Sequence, residues 1–538
     1  MSAPSRSDKV DLIELEADVL VIGGGMAAGW AAIAAARAGA AVVLVDKGFM
    51  GTSGVTATGG PNHWWVPPAP GRREAAVEER HARSFGLAER DWMMRIIETT
   101  WRTLPELAPY YPFAPDGSGG TYYSGLRGPE YMRGLRRFAS DLGVRILDHF
   151  PALELLVHRD GSVAGAAGYA RLQRRPWAAR AGAVIIATGG CAFRSGLIGS
   201  DPNTGDGYLM AAEAGAELSG MEFSTAYSLS PAWNSTRTLP YPAARFFDAA
   251  GAELDIPPPM SGEPHLKALG AAMLAGPVYA DLSDAPDLLK RILSRIQPAS
   301  PTPFERRGID LFADRFEVKL YGEGTIRGTG GLHIAGPGCE TTVDGLFAAG
   351  DAATRELIAG ATSGGGAQNS AWALTSGLDA GAAAAARTRR LGHRTAEPAV
   401  AAGRAALRPK AAVRDVDRAA ILADVQREML AYDRVLWRSE ESLRAAETAL
   451  GDCWRALSDH TAAQGLDRVA ARETAAMLAT ARWCTAAARA RRESRGMHMR
   501  ADLPMPDPAA AYRLLTGGSD EPWTRYETAA ARPTELAA

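Results

Sequence analysis

The sequence predicts an α/β protein built around a Rossmann-like nucleotide-binding unit. A βαβ pattern with a glycine-rich turn occupies residues 18–47, and short apolar strands ending in Gly, Thr or Asp recur much later in the chain. With 538 residues, 46% of them hydrophobic, the chain is long enough and apolar enough for two or three packed domains.

Residues 18–47 read DVLVIGGGMAAGWAAIAAARAGAAVVLVDK. DVLVI has the continuous apolar character of a buried parallel strand. Gly23, Gly24 and Gly25 form the turn, and an Ala-rich helix runs on to about Gly39. Gly23 suits the tight turn, and Gly25 lets backbone N–H groups approach a pyrophosphate at the helix N-terminus. Met26 and Ala27 open that helix, and Ala28 stands where a small residue must pack helix against strand. AVVLVD is a second strand, and Asp46 at its end is placed to accept hydrogen bonds from a ribose diol, with Lys47 beside it. A glycine-rich turn with no ligand is the competing reading. The strands, the helix and the terminal acid in this order speak against it.

The chain after Lys47 points to FAD rather than NAD. A second βα unit is expected for NAD, but the loop GTSGVTATGG follows at once and carries Thr52, Ser53, Gly59 and Gly60. FAD is longer and needs contacts from distant segments. Residues 152–169 read as a hairpin turning at Asp160-Gly161. AGAVIIATGG, residues 181–190, is a strand ending in Ala187-Thr188-Gly189, where a tight turn passes the nucleotide. GLFAAGDAAT, residues 345–354, is a strand ending in Gly350-Asp351, whose acid can hold a ribityl hydroxyl. Residues 360–377 open a helix near Asn369-Ser370, and its N-terminus would stabilise negative charge on a reduced flavin.

Other classes are disfavoured. A net charge of −2 provides no long-range field toward nucleic acid or an anionic membrane. The first 20 residues have no apolar run flanked by basic residues, so no secretory signal is expected, and no uncharged apolar stretch is long enough to span a membrane. Cys191, Cys339, Cys453 and Cys484 are far apart with no CxxC, which argues against a cysteine-ligated iron–sulfur cluster or attached haem in this chain and fits a reducing cytoplasm. No metal site is expected.

Taken together, the motifs VIGGGMAAG, TSGVTATGG, IIATGG, NTGDGYLMAAEAGAEL with MEF, GLFAAGDA, WRSEESLRAAETAL and RRESRGMHMRADLP resemble those of the succinate dehydrogenase/fumarate reductase flavoproteins. That family includes L-aspartate oxidase and the α subunit of adenylylsulfate reductase. The resemblance implies a Rossmann-like FAD-binding domain with an inserted α+β capping domain and a C-terminal helical domain. On this reading residues 1–221 and 331–385 form the FAD domain, 222–330 the cap, and 386–538 the helical domain and tail. It also places Asp206, in the GDG motif, at the cofactor, lays the 52–60 loop along the isoalloxazine, and turns Asn62, His63, Trp64 and Trp65 toward the substrate side.

The departures are informative. Covalent members attach FAD through a His in this loop. Ser53 stands there, so FAD is expected to be non-covalent. The dicarboxylate enzymes carry a His shortly after MEF, a second His before a Gly-Gly pair, and an Arg after Gly-Ala. Here those places hold Tyr227, Ile326 with Arg327 beside it, and Thr362-Ser363. In the cap, Arg237 and Arg245 lie out of register with the family's proton-donating Arg. Buried carboxylates need cationic partners, so succinate, fumarate and aspartate are disfavoured as substrates. The catalytic candidates are Tyr227, as a general acid or base whose pKa Arg327 would lower, then Arg327 itself, Asn62, His63 and, more remotely, Tyr321. His498 and Arg500 follow Gly496 in a tract that the resemblance brings near the active site or a partner face. The competing readings are a packed Tyr227, a surface salt bridge at Arg327, and a tail anchored by His498 and Arg500, the latter through Asp502.

The expected function is that of an FAD-dependent oxidoreductase passing a hydride between a small organic substrate and flavin N5, by C–C desaturation or reduction or by C–N oxidation. The alternative is a redox subunit of the adenylylsulfate-reductase type working with an iron–sulfur partner, and a third reading is a non-enzymatic flavin-binding protein. An electron-transfer partner and a homo-oligomer are both left open.

Overall fold

The computed structural model describes residues 11–235, 239–296, 300–392 and 396–527. Arg237 and residues 528–538 lie outside the described residues. The N-terminal unit is a strand Ile13–Ile22, a helix Met26–Arg37 and a strand Val42–Asp46, the two strands pairing in parallel with Val21 opposite Leu44. The first strand starts five residues earlier than its apolar run suggests, because Ile13–Ala17 already pairs with Trp177–Ala181. Its inner residues Val19–Ile22 are buried on both faces, as a central parallel strand requires.

The strand Arg175–Ile186 is the hub of an eight-stranded sheet. It runs parallel to Ile13–Ile22 on one side and antiparallel to Val163–Ala170 on the other. Its last residues also pair in parallel with Leu346–Ala348. The strands Ile13–Ile22, Val42–Asp46, Arg175–Ile186 and Leu346–Ala348 therefore end at one edge, where an open α/β sheet binds its ligand. The 152–169 hairpin is present, as Ala152–Val157 paired with Val163–Ala170.

The helix expected to open near Asn369 begins at Gly365 and continues to Leu391. The glycine run Gly364-Gly365-Gly366 makes the entering turn, with Gly365 at φ +74°, a region that other residues rarely adopt. The helix packs closely on Met26–Arg37 because Gly377 and Gly381 face the carbonyls of Ala27 and Ala31, where a Cβ would collide.

The cap is a five-stranded antiparallel sheet in the order Tyr227–Pro231, Phe316–Gly322, Val278–Asp281, Arg245–Phe247, Glu253–Leu254. It has its own core of Phe246, Leu269, Val278, Phe304, Phe316 and Val318. The helical domain contains Arg418–Leu430, Glu440–His460 and Asp467–Ala490. Asp417 caps the first of these and Ser439 starts the second with a capping box. The chain then returns: Leu514–Gly517 pairs antiparallel with Leu218–Ser219 and Trp523–Tyr526. Among the described residues no helix is long and apolar enough to cross a membrane.

Candidate active site

A cavity of about 670 Å³ lies at the strand-end edge. Its floor is the glycine turn. A Cβ on Gly23, at φ +125°, would collide with the Ala187 carbonyl, and one on Gly24 with the Asp46 carboxylate. Gly25 has nothing closer than the Gly54 Cα at 3.9 Å, so its backbone is open to the cavity. The helix Met26–Arg37 has no side-chain cap, which leaves its first N–H groups free for an anion. On the cavity wall, Asn369 Oδ1 is a buried acceptor with no partner among the described residues, a place that a ligand N–H or O–H would satisfy. The residues present therefore fit a dinucleotide cofactor.

The expected cofactor residues converge here. Gly23, Gly25, Met26, Ala27, Asp46 and Lys47 line the cavity from the βαβ unit, and Thr52, Ser53, Gly59 and Gly60 from the loop that follows. Ala187, Thr188, Gly189 and Asp206 come from the middle of the chain, and Gly350, Asp351, Asn369 and Ser370 from its later part. Ala28 does not reach the cavity. It is buried one step along the helix, and its small side chain serves packing only.

Burial raises the Asp46 carboxyl above its ordinary range, against the hydrogen bond that Ser53 donates to it. Lys47 donates to Asp206 at 2.7 Å, Thr204 at 2.8 Å and Glu473 at 3.1 Å. Burial works against its charge, but Asp206 and Glu473 outweigh burial and raise its pKa. Glu473 also takes Arg194 at 2.6 Å. Arg194, Arg171 and Glu473 escaped the sequence reading. Glu473 lies 426 residues from Lys47 and sits in a helix with no motif to single it out. Asp351 is bound by the buried Arg355, which also donates to the carbonyls of Thr325 and Gly328.

Of the catalytic candidates, Asn62 and Arg327 line the cavity. The others do not. Tyr227, on a cap strand, donates its hydroxyl to the Leu430 carbonyl at 2.9 Å. Its pKa is raised, chiefly by burial, where a general acid or base lowered by Arg327 was expected. His63 is buried with Nε2 3.3 Å from the Tyr131 hydroxyl, and burial lowers its pKa to about 3, so it stays neutral. Tyr321 donates to the Ala232 carbonyl at 3.1 Å. His498 accepts from Arg438 at Nδ1, 2.9 Å, and donates from Nε2 to the Arg491 carbonyl at 3.2 Å. Burial and those arginines keep it uncharged. Arg500 makes a bidentate pair with Asp502, both bonds at 2.7 Å, and so fixes the tail. Trp65 packs between Trp101 and Tyr123, with ring centroids 4.2 and 4.7 Å away. Each of these side chains is held by a partner away from the cavity, in another part of the fold for all but Arg500, whose partner Asp502 is two residues along. Arg245 binds Asp281 and Asp284 within the cap.

Known proteins match three stretches of the chain. The family described as FAD dependent oxidoreductase matches residues 18–101, FAD binding domain matches 124–251, and fumarate reductase flavoprotein C-term matches 424–535. Through these three stretches the chain resembles the succinate dehydrogenase/fumarate reductase flavoproteins. The flavoprotein is 27% identical to a subunit of the fumarate reductase (CoM/CoB) of Methanothermobacter marburgensis, over 94% of this chain and 98% of that one. It is likewise 27% identical to the L-aspartate oxidase of Mycobacterium leprae, over 94% of this chain and 96% of that one. Among solved structures it superposes on E. coli quinol fumarate reductase FrdA with a TM-score of 0.79 at 20% identity, covering 98% of each chain. With adenylylsulfate reductase of Archaeoglobus fulgidus the TM-score is 0.78 at 18% identity, again over 98% of each. At these identities the structural likeness establishes the fold alone. The flavoprotein is an FAD-dependent oxidoreductase.

Proposed function

We propose that this flavoprotein oxidises or reduces a small organic substrate other than a C4 dicarboxylate, at the part of the cavity bounded by Asn62 and Arg327. One observation carries the reading: the places where the dicarboxylate enzymes of the family keep cations are apolar or turned away. Ile326 is 2% exposed, and Ala361 is buried in a cluster with Leu87, Phe223, Ala226 and Met497. Thr362 Oγ1 is held by Arg80 and the Ala359 carbonyl, and Tyr227 is tied to Leu430. Of these places only Thr362 has a cation against it, Arg80, so two carboxylates there would not both find a partner.

When bound, FAD supplies a hydride acceptor or donor. The chain's own residues do the rest. The Gly23–Gly25 turn and the N-terminus of the Met26–Arg37 helix hold the pyrophosphate, and Asp46 takes the ribose. Lys47, Asp206 and Glu473 close the same wall by ion pairing. Asn369 and Ser370, in the first turns of the long helix, serve the flavin end, where the helix dipole favours negative charge. Asn62 and Arg327 orient the substrate, and the cap excludes water from it. Cofactor attachment is non-covalent on this reading. Among the described residues that line the cavity there is no His, Cys or Tyr to carry a covalent link, and Ser53 spends its hydroxyl on Asp46.

Anaerobic titration of the FAD-loaded protein with a panel of small acids and amines tests the proposal. A non-dicarboxylate donor or acceptor that bleaches or restores the flavin absorbance is expected. Turnover of fumarate, succinate or aspartate at rates above the rest of the panel would overturn it.

A further inference from the structure

We propose that the substrate carries a single carboxylate, held by the Arg327 guanidinium, on an otherwise apolar body. This rests on the oxidoreductase reading above and names its substrate class. Among the described residues the cations lining the cavity are Lys47, Arg171, Arg194 and Arg327. The first three gather on one carboxylate: Glu473 lies 3.1 Å from Lys47, 3.8 Å from Arg171 and 2.6 Å from Arg194. All three are thus engaged by carboxylates of that wall, Lys47 also by Asp206 at 2.7 Å.

Arg327 is different. Its side chain is 33% exposed, and its Nε lies 3.6 Å from Oε2 of the buried Glu323. Among the described residues its two Nη groups make no hydrogen bond. A guanidinium approached by a carboxylate on its Nε edge keeps the Nη fork, whose geometry matches a planar carboxylate in a bidentate pair. The backbone that carries it is fixed from behind. Buried Arg355 donates to the carbonyls of Thr325 and Gly328 on either side. Glu323 is itself bound by the Ser228 hydroxyl. The fork is therefore presented by a preorganised loop.

The surroundings set the rest of the ligand. Ile326 precedes Arg327, and Val55, Pro61 and Ile198 line the same cavity, Ile198 with 45% of its surface exposed. These residues suit an apolar body and offer a second anion nothing. A second carboxylate would lose its hydration for no cationic partner.

The test is a binding titration on the FAD-loaded protein, read as perturbation of the flavin absorbance by hexanoate, phenylacetate, succinate and hexanamide. The monocarboxylates are expected to bind about tenfold or more tightly than both succinate and hexanamide. Arg327→Gln is expected to remove that preference and to keep the FAD dissociation constant within about twofold, with Arg327→Lys intermediate because it keeps the charge and loses the fork. Tighter binding of succinate, unchanged hexanoate affinity in Arg327→Gln, or loss of FAD from that variant would each overturn the proposal, the last by assigning Arg327 to the cofactor. Absence of any carboxylate-induced perturbation would also overturn it while leaving the oxidoreductase reading intact. That reading fails separately, if the protein takes up FAD and no member of the wider donor panel bleaches it.

Discussion

Tyr227 and Tyr432 each bind the other's domain. Tyr227 on the cap donates to the Leu430 carbonyl of the helical domain at 2.9 Å, and Tyr432 of the helical domain donates to the Leu320 carbonyl of the cap at 2.8 Å. Their rings meet edge to face at 5.6 Å, and Gly322 on the neighbouring cap strand leaves room for the Leu430 side chain. The pair works as a reciprocal latch between cap and helical domain.

Tyr227→Phe keeps the ring contact and removes one hydrogen bond. Flavin reduction by the substrate is expected to stay within about twofold, and unfolding free energy to fall by about 1 kcal/mol. Stopped-flow reduction and chemical denaturation measure the two. A hundredfold slower reduction with unchanged stability would return Tyr227 to the chemistry.

Glu473 joins the helical domain to the cofactor wall through Lys47 and Arg194. Glu473→Gln leaves those cations partly unmatched in a buried site, which costs about 3 kcal/mol or more when one member of a buried pair is removed. FAD affinity is expected to drop at least tenfold, measured by fluorescence titration of the apoprotein. Equal affinity in wild type and variant would show that the helical domain is irrelevant to cofactor retention.

Stability should depend on pH through two opposed groups. Burial, with Glu222 nearby, pushes Glu356 up to about 8, from an ordinary value of 4.5. Over that interval the folded chain keeps a proton that the unfolded chain releases, so stability falls as pH rises through it. Burial lowers His63 to about 3 from 6.5, so below pH 6.5 the unfolded chain binds a proton that the folded chain refuses, and stability falls as pH drops. The effects oppose each other between 4.5 and 6.5, leaving Glu356 alone of the two above 6.5. Wild type should lose about 2 kcal/mol between pH 6.5 and 8, since each pH unit of such a window is worth about 1.4 kcal/mol. Glu356→Gln should lose much less. Urea unfolding at both pH values measures this, and identical slopes for the two proteins would count against it.

Acid precipitation of the holoprotein should leave the yellow flavin in the supernatant, because Ser53 is engaged with Asp46 and cannot form a histidyl link. A yellow pellet would mean a covalent bond and would send the search to a residue outside the described lining.

The cofactor cradle was legible in the chain because its demands are local. Gly23 needs a positive φ, Gly25 an open backbone and Asp46 the end of a strand, and each shows in a few neighbouring letters. The helix start was misjudged by four residues because a glycine triplet reads as a loop, whereas its last members already carry helical hydrogen bonds. The catalytic candidates fared differently. His63, Tyr227 and His498 stand out by residue type and motif position, yet each is turned aside by a partner outside its motif, Tyr131, Leu430 and Arg438, whereas Arg500 is held by Asp502, two residues along in the same motif.

By itself the sequence determined the βαβ cradle and the order of the segments that line the cavity, since these follow from backbone preferences and residue identity along short stretches. Only the tertiary structure decided which polar side chains reach the cavity. That choice depends on ion pairs and hydrogen bonds between residues as distant as Lys47 and Glu473, 426 positions apart, which packing alone brings together.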